Sequence, residues 1–289
     1  MIKNTSSSNN LGPFFRKLRI AKGFTIKEAA GDAMSPKHLA NFETSRTNLS
    51  AHLFFSALAN INVTAFEFQN DYNQFIYEKD ITLFSSTISE AFLVHNVVEL
   101  KNLLHKLQSN ENNSKKMELE KIRCKAVISY LDPSYVVPNE EVRYLRNYLS
   151  SLKEWGYYEI LLFSDCVPLF ELLTLSKFIH SIIMPTQTNF NLVYIKQVRI
   201  QAILNCIQYF IKNNQITLAE EFITYLENTD IHEYWTFEKI ILRFNRYLLE
   251  YKKGNEKAML DMKKLQDLLE ISGSFKLANE ISDRIKTLD

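Results

Sequence analysis

Cysteine, glycine and proline are all scarce in this chain: three, six and six residues out of 289. The cysteines, at 124, 166 and 206, are odd in number, far apart and never in a Cys-x-x-Cys pair. That excludes a disulfide framework and a zinc site of local spacing. Each lies in an apolar helical context, the setting of a reduced, buried structural thiol, with a redox sensor as the alternative. The glycines are isolated, so no phosphate-cradling loop can form. The six histidines never recur at i, i+3 or i+4. His232-Glu233 begins like a zinc-protease helix but lacks the second histidine. Ser150-Ser151-Leu152-Lys153 fits a Ser-x-x-Lys pattern with no partner motif. Long apolar runs are missing too: residues 178–195 carry no Asp, Glu, Lys or Arg but are broken by Pro185 and by Asn, Thr and Gln, which does not suit a membrane span. The first ten residues are rich in Ser and Asn without an apolar stretch, so they are expected to be disordered and not a secretory leader. No enzyme, metal, cofactor or membrane partner is expected.

What is present is apolar and aromatic. Residues of the apolar classes make up 46% of the chain, with twenty Phe and fourteen Tyr. With so few helix breakers this reads as an all-α protein whose helices bury wide aromatic faces. Charge is unevenly spread: residues 1–70 hold eight Lys/Arg against four Asp/Glu, a net of +4, and the remainder twenty-six against twenty-nine, a net of −3. The predicted organisation is a disordered start over 1–10, a small domain over 11–69 and a helical-repeat domain over 70–289, since the length suits two cores better than one.

The small domain reads as five helices of helix-turn-helix type. Helix one runs from about Leu11 to Lys22, with Pro13 in its first turn, Phe14, Phe15, Leu18 and Ile20 inward, and Gly23 just past its end. Thr25 caps a short second helix, 26–30, with Glu28 three residues on in the capping-box place. Gly31-Asp32 makes the turn, Ser35 caps the third helix and Pro36 takes its first position. Leu39 and Phe42 face the core, which leaves Ser35, Lys37, His38 and Asn41 on one outer face. Such a face suits a DNA major groove, where Asn pairs bidentately with adenine and Lys meets guanine or phosphate. Arg16, Lys17, Arg19 and Arg46, with Thr25, are the expected backbone contacts. Asn48 or Ser50 opens a fourth helix and Thr64 a fifth.

Beyond residue 70 the pattern gives helices at 72–84, 88–107, 117–131, 140–154, 167–183, 191–212, 217–226, 234–252, 256–271 and 275–288. Pairs with short turns recurring every 35–40 residues suggest a tetratricopeptide-like solenoid, whose concave face suits an extended peptide. Polar groups that could line it are Arg143, Arg146 and Asn147 on one helix, Arg199 and Asn205 on another, and Arg243 and Asn245 on a third; each could equally lie on a solvated face. Trp155, Tyr157, Tyr158 and Trp235 read as packing residues.

Two blocks carry a family resemblance. The run 11–68, including Leu11-Gly12-Pro13-Phe14-Phe15-Arg16-Lys17-Leu18-Arg19 and Ser35-Pro36-Lys37-His38-Leu39, resembles the Xre-type, lambda-repressor-like helix-turn-helix domain of the Rgg (MutR, GadR) regulators of Gram-positive bacteria. Glu140-Glu141-Val142, followed by Glu154-Trp155-Gly156-Tyr157-Tyr158-Glu159-Ile160, is similar to the mid-chain signature of the same family. The resemblance implies a cytoplasmic homodimer that binds double-stranded DNA and is controlled by a short hydrophobic signalling peptide held in the solenoid; the peptide would shift the geometry of the two heads or the access of RNA polymerase to the promoter. The alternative is a DNA-binding repressor whose helical domain binds a partner protein or only dimerises. One departure is local: the family's glycine after Phe42-Glu43 is missing, so a positive-φ exit would fall on Ser45 or Arg46. Some members of the family join their DNA-binding domains through a cysteine; here the first cysteine is Cys124.

Overall fold

In the computed structural model, residues 11–76, 87–88, 90–92, 94–109, 114–184 and 193–288 are described, and every regular element among them is helical. Contacts divide the chain into two units, Met1–Ser89 and Glu90–Asp289. The expected disorder of residues 1–10 lies outside the described residues.

The first unit contains α1 (Leu11–Ala21), α2 (Ile26–Ala30), α3 (Pro36–Glu43), α4 (Ala51–Asn60) and α5 (Ala65–Ile76). Its starts are the capping residues read from the sequence: Thr25, Ser35 and Ser50 each accept a backbone N–H three residues on. Its core is aromatic, with Phe54 edge-on to Phe68 at 5.0 Å between centroids and Phe14 to Phe68 at 5.2 Å, around buried Phe15, Leu39, Phe42 and Leu58. Each such side chain contributes about 1.5–3 kcal/mol of burial. Two positions of α1 differ from expectation. Ile20 is mostly exposed and Arg19 is buried, because Arg19 stands four residues after Phe15 on the inward stripe. Gly12 also belongs to that stripe: a Cβ there would lie 1.8 Å from the Phe42 carbonyl oxygen, so α1 and α3 cross in near backbone contact. Helix α5 runs through Tyr72, whose ring stacks on Phe68; the predicted separate helix at 72–84 is therefore partly a continuation of α5, and its stretch beyond Ile76 lies outside the described residues.

The second unit holds α6 (Val97–Gln108), α7 (Lys115–Leu131), α8 (Asn139–Ser150), α9 (Tyr157–Asp165), a 3-10 turn (Val167–Leu169), α10 (Leu172–Ile183), α11 (Val193–Lys212), α12 (Ile216–Glu227), α13 (Thr236–Lys252), α14 (Lys257–Ile271) and α15 (Phe275–Lys286). Helices α7, α9, α11 and α13 pack side by side in one layer, while α8, α10, α12 and α14 alternate with them in a second. This is the alternation of a helical repeat, and one core runs through it from Leu119 to Ile285. The boundaries correct four expectations. The helix predicted at 88–107 is broken at His95, which takes a positive φ, and Asn96 caps a new helix. The helix predicted to reach Glu154 stops at Ser150. Pro168 splits the predicted 167–183 element into a 3-10 turn and α10. Helix α9, not anticipated, starts at Gly156, whose N–H donates to Glu159 at 3.1 Å; Glu159 also accepts from the Tyr148 hydroxyl at 2.9 Å.

Scarce glycine has a visible consequence at helix exits. Six of these helices, and the turn at His95, close with a left-handed residue whose N–H and the next N–H turn back onto the preceding turn. Glycine fills three of these, Gly23, Gly254 and Gly273; the others fall on Ser45, Asn62, His95 and Asn214.

Candidate functional site

Helix α3 is built as a fixed outward-facing rod. Ser35 Oγ accepts the His38 N–H at 3.2 Å at its start. At its end, Ser45 takes φ 59°, its N–H donates to the Phe42 carbonyl at 2.8 Å, and the Arg46 N–H donates to the Asn41 carbonyl at 2.8 Å. The strained exit thus falls on Ser45, one of the two residues to which the missing glycine pointed. Ser45→Gly is expected to raise the stability of this unit by about 0.5–1 kcal/mol, because glycine holds this φ without steric cost; equilibrium urea unfolding measures it, and a loss of stability would refute the assignment of strain.

Between these ends, Leu39 and Phe42 are buried, Ser35 and Lys37 are exposed, and His38 and Asn41 are half-buried. Arg16, Lys17 and Arg46 are exposed. One expected contact is corrected, and the exposed Thr25 has a local role besides. Arg19 does not face outward. Its Nε and Nη2 donate to the two carboxylate oxygens of Glu43 at 2.6 and 2.8 Å, and its Nη1 donates to the Phe24 carbonyl at 2.7 Å. The bond to Glu43 raises its pKa further against the cost of burial. This forked pair clamps α1 to the last residue of α3. Thr25 is committed to its own helix: its hydroxyl donates to Glu28 at 2.7 Å and accepts the Glu28 N–H, and its own N–H donates to the same carboxylate. These bonds hold the Glu28 carboxyl below its ordinary range.

In the second unit the predicted polar residues scatter. Arg143, Arg146 and Asn147 are exposed on α8, which belongs to the second layer and not to the α7–α9–α11–α13 face. Arg243 is exposed, ~140° round α13 from Glu238 at 100° per residue. Asn245 is fully buried, and neither polar atom of its side chain has a partner among the described residues. Arg199 is buried and lines a cavity toward α12. Only Asn205 joins a polar array on the first layer: its amide donates to Ser164 of α9 at 2.9 Å. One and two turns before it on α11, Gln201 and Gln197 donate to Glu238 of α13 at 2.7 and 2.9 Å. A ladder of amides thus bridges three neighbouring inner helices. Its signal was in the sequence as amides at 197, 201 and 205, a one-face spacing along one helix.

A second buried polar group sits between α7 and α9. Arg123, 1% exposed, donates to Asp165 at 2.6 Å and reaches Glu120 at 3.5 Å. Burial raises both carboxyls above their usual values, against the pull of Arg123. Trp155 packs edge-on to Phe163 at 5.5 Å and beside Phe178 at 5.4 Å, so the Trp-Gly-Tyr-Tyr-Glu block fixes the start of α9 by packing and capping.

A helix-turn-helix unit with a fixed, outward-facing third helix, followed by a two-layered helical repeat, defines the class of DNA-binding regulators that carry a separate helical domain. Residues 100–283 match the family model for the C-terminal domain of the HTH-type transcriptional regulator Rgg. The chain belongs to the Rgg family of transcriptional regulators. Among solved structures, the Streptococcus dysgalactiae SHP pheromone receptor Rgg2 matches with a TM-score of 0.76 at 22% identity, over 96% of this chain and all of the other. A Listeria monocytogenes EGD-e protein proposed to be a transcriptional regulator matches with 0.79 at 20% identity, over 97% of both chains. PrgX in complex with cCF10 matches with 0.72 at 12% identity, over 97% of this chain and 100% of that one. At these identities the likeness is one of fold. No helix among the described residues is long and apolar enough to cross a membrane.

Proposed function

We propose that this chain is a cytoplasmic, homodimeric, sequence-specific DNA-binding regulator whose activity is set by a short hydrophobic peptide bound on the α7–α9–α11–α13 face. The observation that carries the DNA half is α3, closed at both ends, with Lys37 exposed and His38 and Asn41 half-buried beside the buried Leu39 and Phe42. In this reading those three side chains reach base edges in the major groove, Arg16, Lys17 and Arg46 hold phosphates, and two copies read half-sites about 34 Å apart. The peptide half is supported by the amide ladder Gln197–Gln201–Asn205, a set of groups suited to peptide backbone, and by relatives described as a pheromone receptor and as a complex with cCF10. The peptide acts by binding one arrangement of the dimer better than another, changing how RNA polymerase meets the promoter.

The test is binding of the full-length protein to its own upstream DNA, titrated with salt, with and without short hydrophobic peptides. Asn41→Ala is expected to cost about 1–3 kcal/mol on the specific site and little on random DNA. Lys17→Ala is expected to weaken all sequences alike and to reduce the salt slope by about one. Equal loss of specific and random binding in Asn41→Ala would remove it from the base-reading set. Specific binding and transcription that no peptide alters would leave the head intact and make the repeat a partner-protein or dimerisation platform.

A further inference from the structure

The face of α11 turned away from the amide ladder borders a cavity of about 460 Å³, within the range of small-ligand sites. Its walls come from the end of α10, the first half of α11, the end of α12 and the segment leading to α13, so it lies between the two layers and not on the first-layer face. Arg199 stands ~160° round α11 from Gln197 at 100° per residue, which is why the two serve different surfaces. Ile182, Val193, Ile203 and Trp235 make much of the lining apolar.

Its charged groups are mostly cationic. Arg199 and Lys196 both line it, and the one acid among its described lining residues is Asp230, whose side chain is 97% exposed and meets Lys196 at 3.7 Å. The Lys196 ammonium also sits 5.9 Å from the centre of the Trp235 ring, so the cation is held against the apolar wall. Arg199 is only 8% exposed. Burial pulls its pKa below the ordinary arginine value, the mark of a guanidinium held in poorly solvated surroundings. A carboxylate meeting such a group in a forked, partly dry setting forms one of the stronger hydrogen-bonded pairs available to proteins.

We propose that this cavity is a second binding site, for an apolar group that ends in a carboxylate: the apolar body lies against Ile182, Ile203 and Trp235, and the carboxylate meets Arg199 and Lys196. The carboxylate belongs either to a free aliphatic acid or to the C-terminus of a peptide with apolar last residues. The site is independent of whether a peptide occupies the amide ladder.

The test uses full-length protein and the fluorescence of Trp235; the only other tryptophan, Trp155, packs in the α9–α10 cluster away from this cavity. Two matched probe pairs are titrated: octanoate below its micellar range against octan-1-ol, and N-acetyl-leucyl-leucine as free acid against its amide. The expected result is a saturable signal for at least one acid at concentrations ten-fold or more below its neutral counterpart. A preference confined to octanoate identifies a free acid, and one confined to the dipeptide identifies a peptide terminus. Arg199→Gln is expected to reduce the preference below three-fold. Lys196→Gln, at a half-buried and solvent-tolerant position, is expected to weaken the acid alone and keeps the test valid where Arg199→Gln loses helical circular dichroism. Equal response to acid and neutral probe, or an acid preference unchanged in both variants, overturns the proposal.

Discussion

Glu43→Ala is expected to loosen the N-terminal unit by about 3–5 kcal/mol, the effect of leaving a buried charge without its partner. In the native unit the Arg19 guanidinium meets both Glu43 oxygens and is closed on its third side by the Phe24 carbonyl. Removing the carboxylate leaves the buried Arg19 charge with the Phe24 carbonyl alone of these partners. A domain of this size has total stability of the same order. Hydrogen exchange of α1 and α3 in the full-length protein reads the effect directly, since both tryptophans lie in the other unit. Protection is expected to fall by roughly a hundred- to several-thousand-fold, at ~1.4 kcal/mol per factor of ten. Specific DNA binding falls with it, because α3 loses the clamp at its last residue. The double variant Arg19→Met/Glu43→Leu is expected to recover most of the protection, as apolar replacements of buried ion pairs often do. Unchanged exchange in Glu43→Ala would show that the pair contributes no stability.

Arg123→Met is expected to cost the helical unit a similar amount, about 3–5 kcal/mol near neutral pH, with a pH dependence set by its two carboxylate partners. Burial holds the Glu120 and Asp165 carboxyls above their ordinary values, and Arg123 is the largest influence pulling them down. Without it their folded-state pKa values rise further. A group whose pKa is raised on folding stabilises the fold below its unfolded value, and that stabilisation is lost as pH rises through the folded value. The deficit of Arg123→Met is therefore smallest toward the unfolded carboxylate range, about pH 4, and grows with rising pH until both groups have ionised. Denaturant unfolding followed by tryptophan fluorescence at pH 5 and pH 8 measures it. A deficit that is flat with pH, or larger at pH 5, would mean that the two carboxyls do not carry the effect.

The caps were the most legible part of this sequence. Ser35-Pro36, Thr25 with Glu28, and Ser50 each opened a helix where short polar side chains precede an apolar period, because that chemistry is local. The exit after Glu43 was also readable, since the family resemblance puts a glycine there and its absence moves the positive φ to a neighbour; Ser45 carries it. Arg19 was misread because a basic residue among Arg16, Lys17 and Lys22 looks like part of an exposed face; the carboxylate that draws it inward is twenty-four residues away. Its phase with Gly12 and Phe15 was the available signal. Helix α9 escaped because its nine residues, six of them apolar or aromatic, follow a glycine and show little amphipathic period, with Ile160, Leu162, Phe163 and Ser164 all buried. The break at His95 had no Gly or Pro to announce it. Of the seven residues expected to line a ligand face, Asn205 joins the amide ladder of the first layer, and the others scatter over other surfaces or into the core. Which helix of a pair forms the first layer depends on packing between repeats, and a single helix does not encode it.

The thiols give this protein a built-in clock. Cys124, Cys166 and Cys206 are all buried, and they sit on or just after α7, α9 and α11, three successive helices of one layer. Burial pushes the Cys124 thiol up to about 12 and the other two well above the ordinary value, so a thiol reagent at neutral pH finds neither access nor thiolate in the closed state. Labelling can proceed only through opening of the helical unit, and the order in which the three sites react reports which helices part first. The first seventy residues contain no cysteine, so melting of the DNA-reading end leaves the clock silent. A molecule that slows all three reactions together tightens the whole layer; one that slows Cys206 alone acts at α11.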